Sequence, residues 1–206
     1  FLVEPWVEGR TLSGVPAGPA VMDGLADYLA LRAGLPPDGS GASPAALFEM
    51  AAHNLGGYFG GDAERRVRHV LGDPDRLAVA PCNTDNRMHR WEWLRTEAGR
   101  LVKTDAVDHA RAHDLVGCQD IAWDVAGAIV EFGLDAATGA ALAREVAGRG
   151  KRPVPSALLS GMTLCYLAFQ IGLWSMALDR QPDERARIAP LLRRYAGHRA
   201  LDVLRD

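Results

Sequence analysis

Apolar residues recur at helical spacing over most of the chain and at strand-like spacing in only a few short runs. From Pro19 to Arg32, Val21, Leu25, Tyr28, Leu29 and Leu31 fall mostly on one side, which predicts a helix. Gly34 and the run Leu35-Pro36-Pro37-Asp38-Gly39-Ser40-Gly41 end it. Ser43-Pro44 joins a capping hydroxyl to a proline suited to the first helical position, so a second helix is expected through about Leu55. A third, shorter one is expected from about Asp62 to Leu71. The second half reads as nearly all helix, over about Asp120 to Phe132, Ala136 to Ala147, Ser156 to Asp179 and Pro182 to Leu204. Strand signals are confined to Phe1 to Val7, to Leu77 to Ala80, and to Trp91 to Arg95 and Arg100 to Thr104. The last two flank Thr96-Glu97-Ala98-Gly99, a hairpin turn. The predicted class is mainly α with a small central β-hairpin, without internal repeats or coiled-coil heptads.

One segment tests this picture. Ala157 to Leu178 carries no charged residue and is long enough to span a bilayer. Ser160, Gly161, Thr163, Gln170, Gly172 and Ser175 dilute its hydrophobicity, and it reads as a buried helix of a large core, with no membrane partner expected. Hydrophobic residues make up 48% of 206, enough for such a core. A net charge of −3 with both signs scattered leaves no footprint for a nucleic-acid partner. Cys82, Cys118 and Cys165 are far apart and form no CxxC pair, which points to a reducing, cytoplasmic setting. No signal peptide is visible. The chain starts at Phe1, and its first residues read as an interior strand, so further chain upstream is expected.

The candidate chemistry lies in the middle third. Asp85, Glu92, Asp105 and Asp108 are followed by Gln119-Asp120-Ile121-Ala122-Trp123-Asp124-Val125-Ala126. Acids at the ends of a hairpin, with a capped helix behind them, are the parts needed to hold Mg²⁺ against a phosphate. Asp85 can accept a proton from, or orient, an attacking hydroxyl; alternatively it makes an Asx-turn within Asn83-Thr84-Asp85-Asn86. Asp105, ending an apolar strand, is a metal ligand or a turn cap, with Glu92 and Asp108 as further ligands. Asp120 can cap the helix it begins, and Asp124, one turn on, can bond the loop from below. Arg87 and Lys103 would steady a phosphate or pair with the acids. Trp91, Trp93 and Trp123 read as core rather than as a substrate platform. His109 and His113, four apart among Asp105, Asp108 and Asp114, have the spacing of a zinc or two-metal hydrolase site, but Asp108 to Asp114 has no apolar face to bury it and reads more readily as a mobile, exposed loop. No G-x-S-x-G, Walker A or Rossmann fingerprint is present.

In order, these parts resemble the C-terminal lobe of the aminoglycoside phosphotransferase and choline kinase superfamily, which has a protein-kinase-like fold. Phe1-Leu2-Val3-Glu4-Pro5-Trp6-Val7-Glu8-Gly9-Arg10-Thr11-Leu12 resembles the family's hinge strand and following turn, residues 1–12. Asp85 falls at the catalytic-loop aspartate, Arg100-Leu101-Val102-Lys103-Thr104-Asp105 resembles the strand ending in the metal-binding aspartate, and Asp120 to Ala126 resembles the D-P-x-x-D-L-A helix start. The resemblance implies a helical C-lobe over residues 13–206 and an N-terminal lobe outside this chain. It implies transfer of the γ-phosphate of ATP, with Mg²⁺, to a hydroxyl of a small-molecule acceptor. Glu4, Trp6 and Val7 would meet the adenine, Arg87 and Lys103 the phosphates, and Asp105, Glu92 and Asp108 the metal. The family's loop reads H-x-D-x-x-x-x-N; here Asn83 replaces the histidine and Arg90 the asparagine, with Glu92 the nearest stand-in. Those departures favour, as an alternative, a catalytically inactive pseudokinase or binding module. The metal-dependent hydrolase is the second alternative.

Overall fold

A computed structural model of the chain describes residues 6–106, 109 and 116–204. Three short strands, β1 (Arg10–Thr11), β2 (Trp93–Arg95) and β3 (Leu101–Lys103), form an antiparallel sheet in that order. Lys103 pairs with Trp93, and Arg95 with both Leu101 and Arg10. Among the described residues the α-helices are α1 (Pro19–Gly34), α2 (Pro44–Phe59), α3 (Gly61–Leu71), α4 (Ala122–Phe132), α5 (Ala136–Gly150), α6 (Ser156–Arg180) and α7 (Arg185–Ala196). The architecture is the mainly helical C-lobe of a kinase-like fold around a small β-hairpin.

The central element is α4. Every residue in it except Ile129 is buried, so it has no solvent face. Its Trp123, Ala126 and Val130 join a core with α2, α3, α6 and α7. Val125, Ala128 and Phe132 join a second core with α1 and α5. Trp123 meets Tyr166 of α6 edge to face at 5.6 Å. The left-handed Gly133 ends α4, its amide bonding back to the Ile129 and Val130 carbonyls. Helix α6 is long and apolar enough to cross a membrane; here its Met162, Cys165, Tyr166 and Ile171 are buried against the first core.

The structure departs from the sequence reading in four places. Residues 1–5 lie outside the described part, and Trp6 and Val7 are not in a strand; pairing begins at Arg10 and adds a third strand to the hairpin. Leu77 to Ala80 is not a strand, because side chains take its polar groups: the Ala80 amide donates to Asp120 Oδ2 and its carbonyl accepts from Arg152. Arg90 to Glu92 is a single 3₁₀ turn, so β2 starts at Trp93. The expected last helix has a 3₁₀ turn at Pro182–Glu184, ends as α7 near Gly197, and resumes as a 3₁₀ segment, Arg199–Leu204.

A strap ties the loop after α1 to the segment before α4. Gly41 bridges Gly117, with the Ala42 amide on the Val116 carbonyl at 3.0 Å. A Cβ on Gly41 would lie 1.9 Å from the Cys118 carbonyl oxygen, and Gly117 has φ +61°. Gly41→Ala should therefore lower stability by about 1–3 kcal/mol, the usual range for overpacking. Gly57→Ala, inside α2 with nothing within 4 Å of the added carbon, should be neutral or stabilising by up to about 1 kcal/mol. Urea denaturation of the two variants checks the contrast.

Candidate functional site

The loop from Cys82 to Glu92 is laid along α4 and fixed by side chains of α4, of α1 and of the loop itself. The Asp124 carboxylate accepts both the Asp85 amide (2.7 Å, Oδ2) and the Asn86 amide (2.8 Å, Oδ1). Asn86 is left-handed (φ 68°), a conformation asparagine tolerates, and its side chain donates to the Gly117 carbonyl at 2.8 Å. Arg32 of α1 donates to Asn83 Oδ1 at 2.7 Å and to the Thr84 carbonyl at 2.8 Å. The Cys82 amide donates to the Gln119 carbonyl, and Asp120 accepts from the Ala122 amide at the start of α4. Asp124 thus clamps the loop, as its spacing predicts, whereas α4 starts two residues after Asp120, with Ile121 at its N-cap and no side-chain cap bond.

This frame aims the Asp85 carboxylate at the end of β3. Asp85 is fully buried. Its Oδ1 meets His109 Nδ1 at 2.9 Å; its Oδ2 accepts from the Tyr28 hydroxyl and lies 3.2 Å from Lys103 Nζ. The other His109 nitrogen is 3.6 Å from Asp105 Oδ2, so one imidazole spans the two aspartates. Asp105 is left-handed (φ 50°), and its side chain is 71% exposed. Glu92 is buried, its Oε2 2.9 Å from Lys103 Nζ and its carbonyl accepting from the Thr104 amide and hydroxyl.

The electrostatics follow the contacts. Burial would raise the Asp85 carboxyl, but the His109 hydrogen bond and the Lys103 charge outweigh it and hold the group below the usual carboxylate value. Asp85 is therefore a carboxylate at neutral pH. Burial, and then the Asp85 charge, push Asp124 up to about 7 against the pull of its two amide donors. Burial and then Asp85 push the Tyr28 phenol far above its ordinary value, so it stays a donor.

Of the predicted site residues, Asp85, Lys103, Glu92 and Asp105 are brought together. Arg87 is beside them, its amide 3.4 Å from Asp85 Oδ1. Trp6 and Val7 line a separate cleft of about 910 Å³ with Arg10, Leu94 and Glu97, toward the turn end of the hairpin; Trp6 is largely exposed. Glu4, Asp108, His113 and Asp114 lie outside the described residues. Arg90, which the resemblance put at an asparagine position, donates to the Leu12 carbonyl. Among the described residues no group of three His, Cys, Asp or Glu stands close enough to hold a metal. Glu92, expected as a second metal ligand, bonds Lys103, whose strand partner Trp93 is the next residue along. Asp85 and Glu92 both face the Lys103 ammonium, whereas the Asp105 carboxylate is open to solvent.

Tyr28 and Arg32 were not singled out from sequence. Both sit on α1, where Tyr28 reads as one more residue of an apolar face; nothing local marks its hydroxyl. His109 was expected in an exposed loop or, less readily, as a metal ligand; it is buried, and its two nitrogens face aspartates.

Solved structures share this arrangement of elements. The crystal structure of choline kinase LicA from Streptococcus pneumoniae is similar over 89% of this chain, with a TM-score of 0.62 and 13% identity. LicA in complex with AMP is similar over 97% of the chain, with the same score and identity. The chain spans 63% and 67% of those two chains. No protein-family model and no curated protein matches the sequence. At this identity the likeness shows the fold, which is choline-kinase-like.

A second buried carboxylate lies beside the far end of the loop. Glu131, two turns after Asp124 on α4, accepts from Arg194 (2.6 Å), Tyr195 (2.7 Å) and Tyr166 (3.1 Å). His89 Nδ1 is 3.3 Å away and its ring stacks on Trp91. Burial would raise Glu131, but the His89 ring, Arg194 and Tyr195 bring it down to about 2. A carboxyl depressed on folding stabilises the fold above its unfolded value, near 4.5, and loses that contribution as pH falls toward 2. Denaturation between pH 5 and 2 should show a loss on the order of 3 kcal/mol from this group, and Glu131→Gln should flatten the slope.

Proposed function

We propose that this chain is the C-lobe of an ATP-dependent phosphotransferase of the aminoglycoside phosphotransferase and choline kinase superfamily, acting on a hydroxyl of a small molecule. The observation that carries the reading is the clamp at Asp124: it fixes two consecutive loop amides and leaves one ionised carboxylate, Asp85, facing the end of the β3 strand and Asp105. Transfer to a hydroxyl needs an acceptor group held rigidly within hydrogen-bond reach of the attacking oxygen, and little else from the protein besides charge and position. The fold shared with LicA, one of whose structures holds AMP, supports a nucleotide partner. In this reading Asp85 orients the acceptor hydroxyl or takes its proton. Arg87 contributes positive charge to the phosphates, and the segment around Trp6 and Val7 faces the adenine. Mg²⁺ would neutralise phosphate charge, with Asp105 the described carboxylate open to it.

A nucleotide-binding module without transfer is the second reading. Arg90 favours it, since a cation directed at the Leu12 carbonyl replaces a family asparagine. Calorimetric titration of ATP, with and without Mg²⁺, into the full-length protein tests the nucleotide site common to both. Magnesium-dependent binding is expected, and Asp105→Asn should abolish that dependence while leaving the melting temperature nearly unchanged, because the Asp105 side chain is mostly in solvent. No binding by a well-folded full-length protein would contradict both readings.

A further inference from the structure

Lys103 is one of only two lysines in a chain that otherwise uses arginine for positive charge. Its side chain is 1% exposed. The ammonium reaches Glu92 Oε2 at 2.9 Å, the Thr104 carbonyl at 2.9 Å and Asp85 Oδ2 at 3.2 Å, so its three N–H donors have three oxygens. The position is set by the fold. Lys103 pairs with Trp93, the neighbour of Glu92, and Thr104 donates twice to the Glu92 carbonyl, so the backbones on either side cannot slide. A planar guanidinium presents its donors in one plane and does not match three oxygens set around a point, whereas a compact ammonium does.

We propose that Lys103 is the resident cation of the Asp85–Glu92 pair, a protein-borne substitute for a metal ion, so that these two carboxylates take no divalent cation. Two carboxylates this buried need a positive charge between them, since the desolvation of each is offset only by a close partner. That partner can be a bound metal or a side chain, and here the side chain fills the place. Any metal accompanying the nucleotide is then left to Asp105. Lys103 is a positioning residue: it holds Asp85 at the strand end and keeps Glu92 out of metal binding.

The inference deepens the phosphotransferase reading, yet its test needs neither nucleotide nor acceptor, so failure of one is distinguishable from failure of the other. Manganese is titrated into the nucleotide-free full-length protein, and free Mn²⁺ is followed by electron paramagnetic resonance. Wild type should show no site at Asp85–Glu92, whereas Lys103→Met should gain one, tightening Mn²⁺ binding by about tenfold or more. Lys103→Met/Glu92→Gln should lose it again. Equal affinity in wild type and Lys103→Met would overturn the proposal. Should Lys103→Met fail to fold, amine acylation of the wild type decides, with exposed Lys151 as internal reference. Lys103 should remain about tenfold slower than Lys151 with or without Mn²⁺, because burial and pairing protect it. Acceleration to the rate of Lys151 on adding Mn²⁺ would mean that metal displaces it, and the proposal would fall.

Discussion

The structure depends on one carboxylate accepting two backbone amides. Asp124 sits in the first turn of the most buried helix, and its oxygens fix the Asp85 and Asn86 amides of a loop without regular structure. Buried amides must find acceptors, and a loop cannot supply them to itself. Asp124 supplies them and thereby chooses the loop's conformation. It also sets the left-handed turn at Asn86, which sends the Asn86 side chain to Gly117 and the Asp85 carboxylate toward β3. Replacing this acceptor would leave two buried donors unpaired, each costing about 1–3 kcal/mol. The helix could survive that; the loop geometry could not.

The same helix meets the loop a second time two turns further along, where Glu131 lies 3.3 Å from His89 Nδ1. Between the anchors, Gly127 lets the loop lie close, since a Cβ there would come within 3.1 Å of Met88 and 2.9 Å of the Tyr166 ring. The helix is apolar in composition, which buries it between the two cores, and it carries two carboxylates, Asp124 and Glu131, seven residues apart. Charge is organised accordingly. Asp124 is pushed up toward neutrality by burial, while Glu131 and Asp85 are held ionised by cationic and hydroxyl partners.

The helical frame was legible because it is written in period and punctuation: Ser43 accepts from the Ala46 amide as an N-cap, Asp135 from Thr138, and Gly133 ends α4. The hairpin was legible from its turn. Leu77 to Ala80 was misread because a four-residue apolar run says nothing about whether another strand or a pair of side chains will take its backbone groups. In the site, the acids could be seen as a set from their spacing and from resemblance, and Asp124 was placed correctly. Their partners from distant elements could not be assigned. Tyr28 and Arg32 come from a helix more than fifty residues earlier in the chain, and Glu131, His89 and Arg194 meet only after α4, α6 and α7 have packed. Lys103 was visible as a charge near acids, but whether it would face phosphate or carboxylate is decided by hairpin register, which sequence leaves open at this length.

The most direct test of the account is ATP turnover by the full-length protein, with water as the default acceptor, compared between wild type and Asp85→Asn at matched folded content. The account predicts slow magnesium-dependent release of phosphate that falls by a factor of about 10² or more in Asp85→Asn, with ATP binding retained. Turnover unchanged by the substitution would contradict it, because the carboxylate that the whole loop is built to present would then take no part in the chemistry.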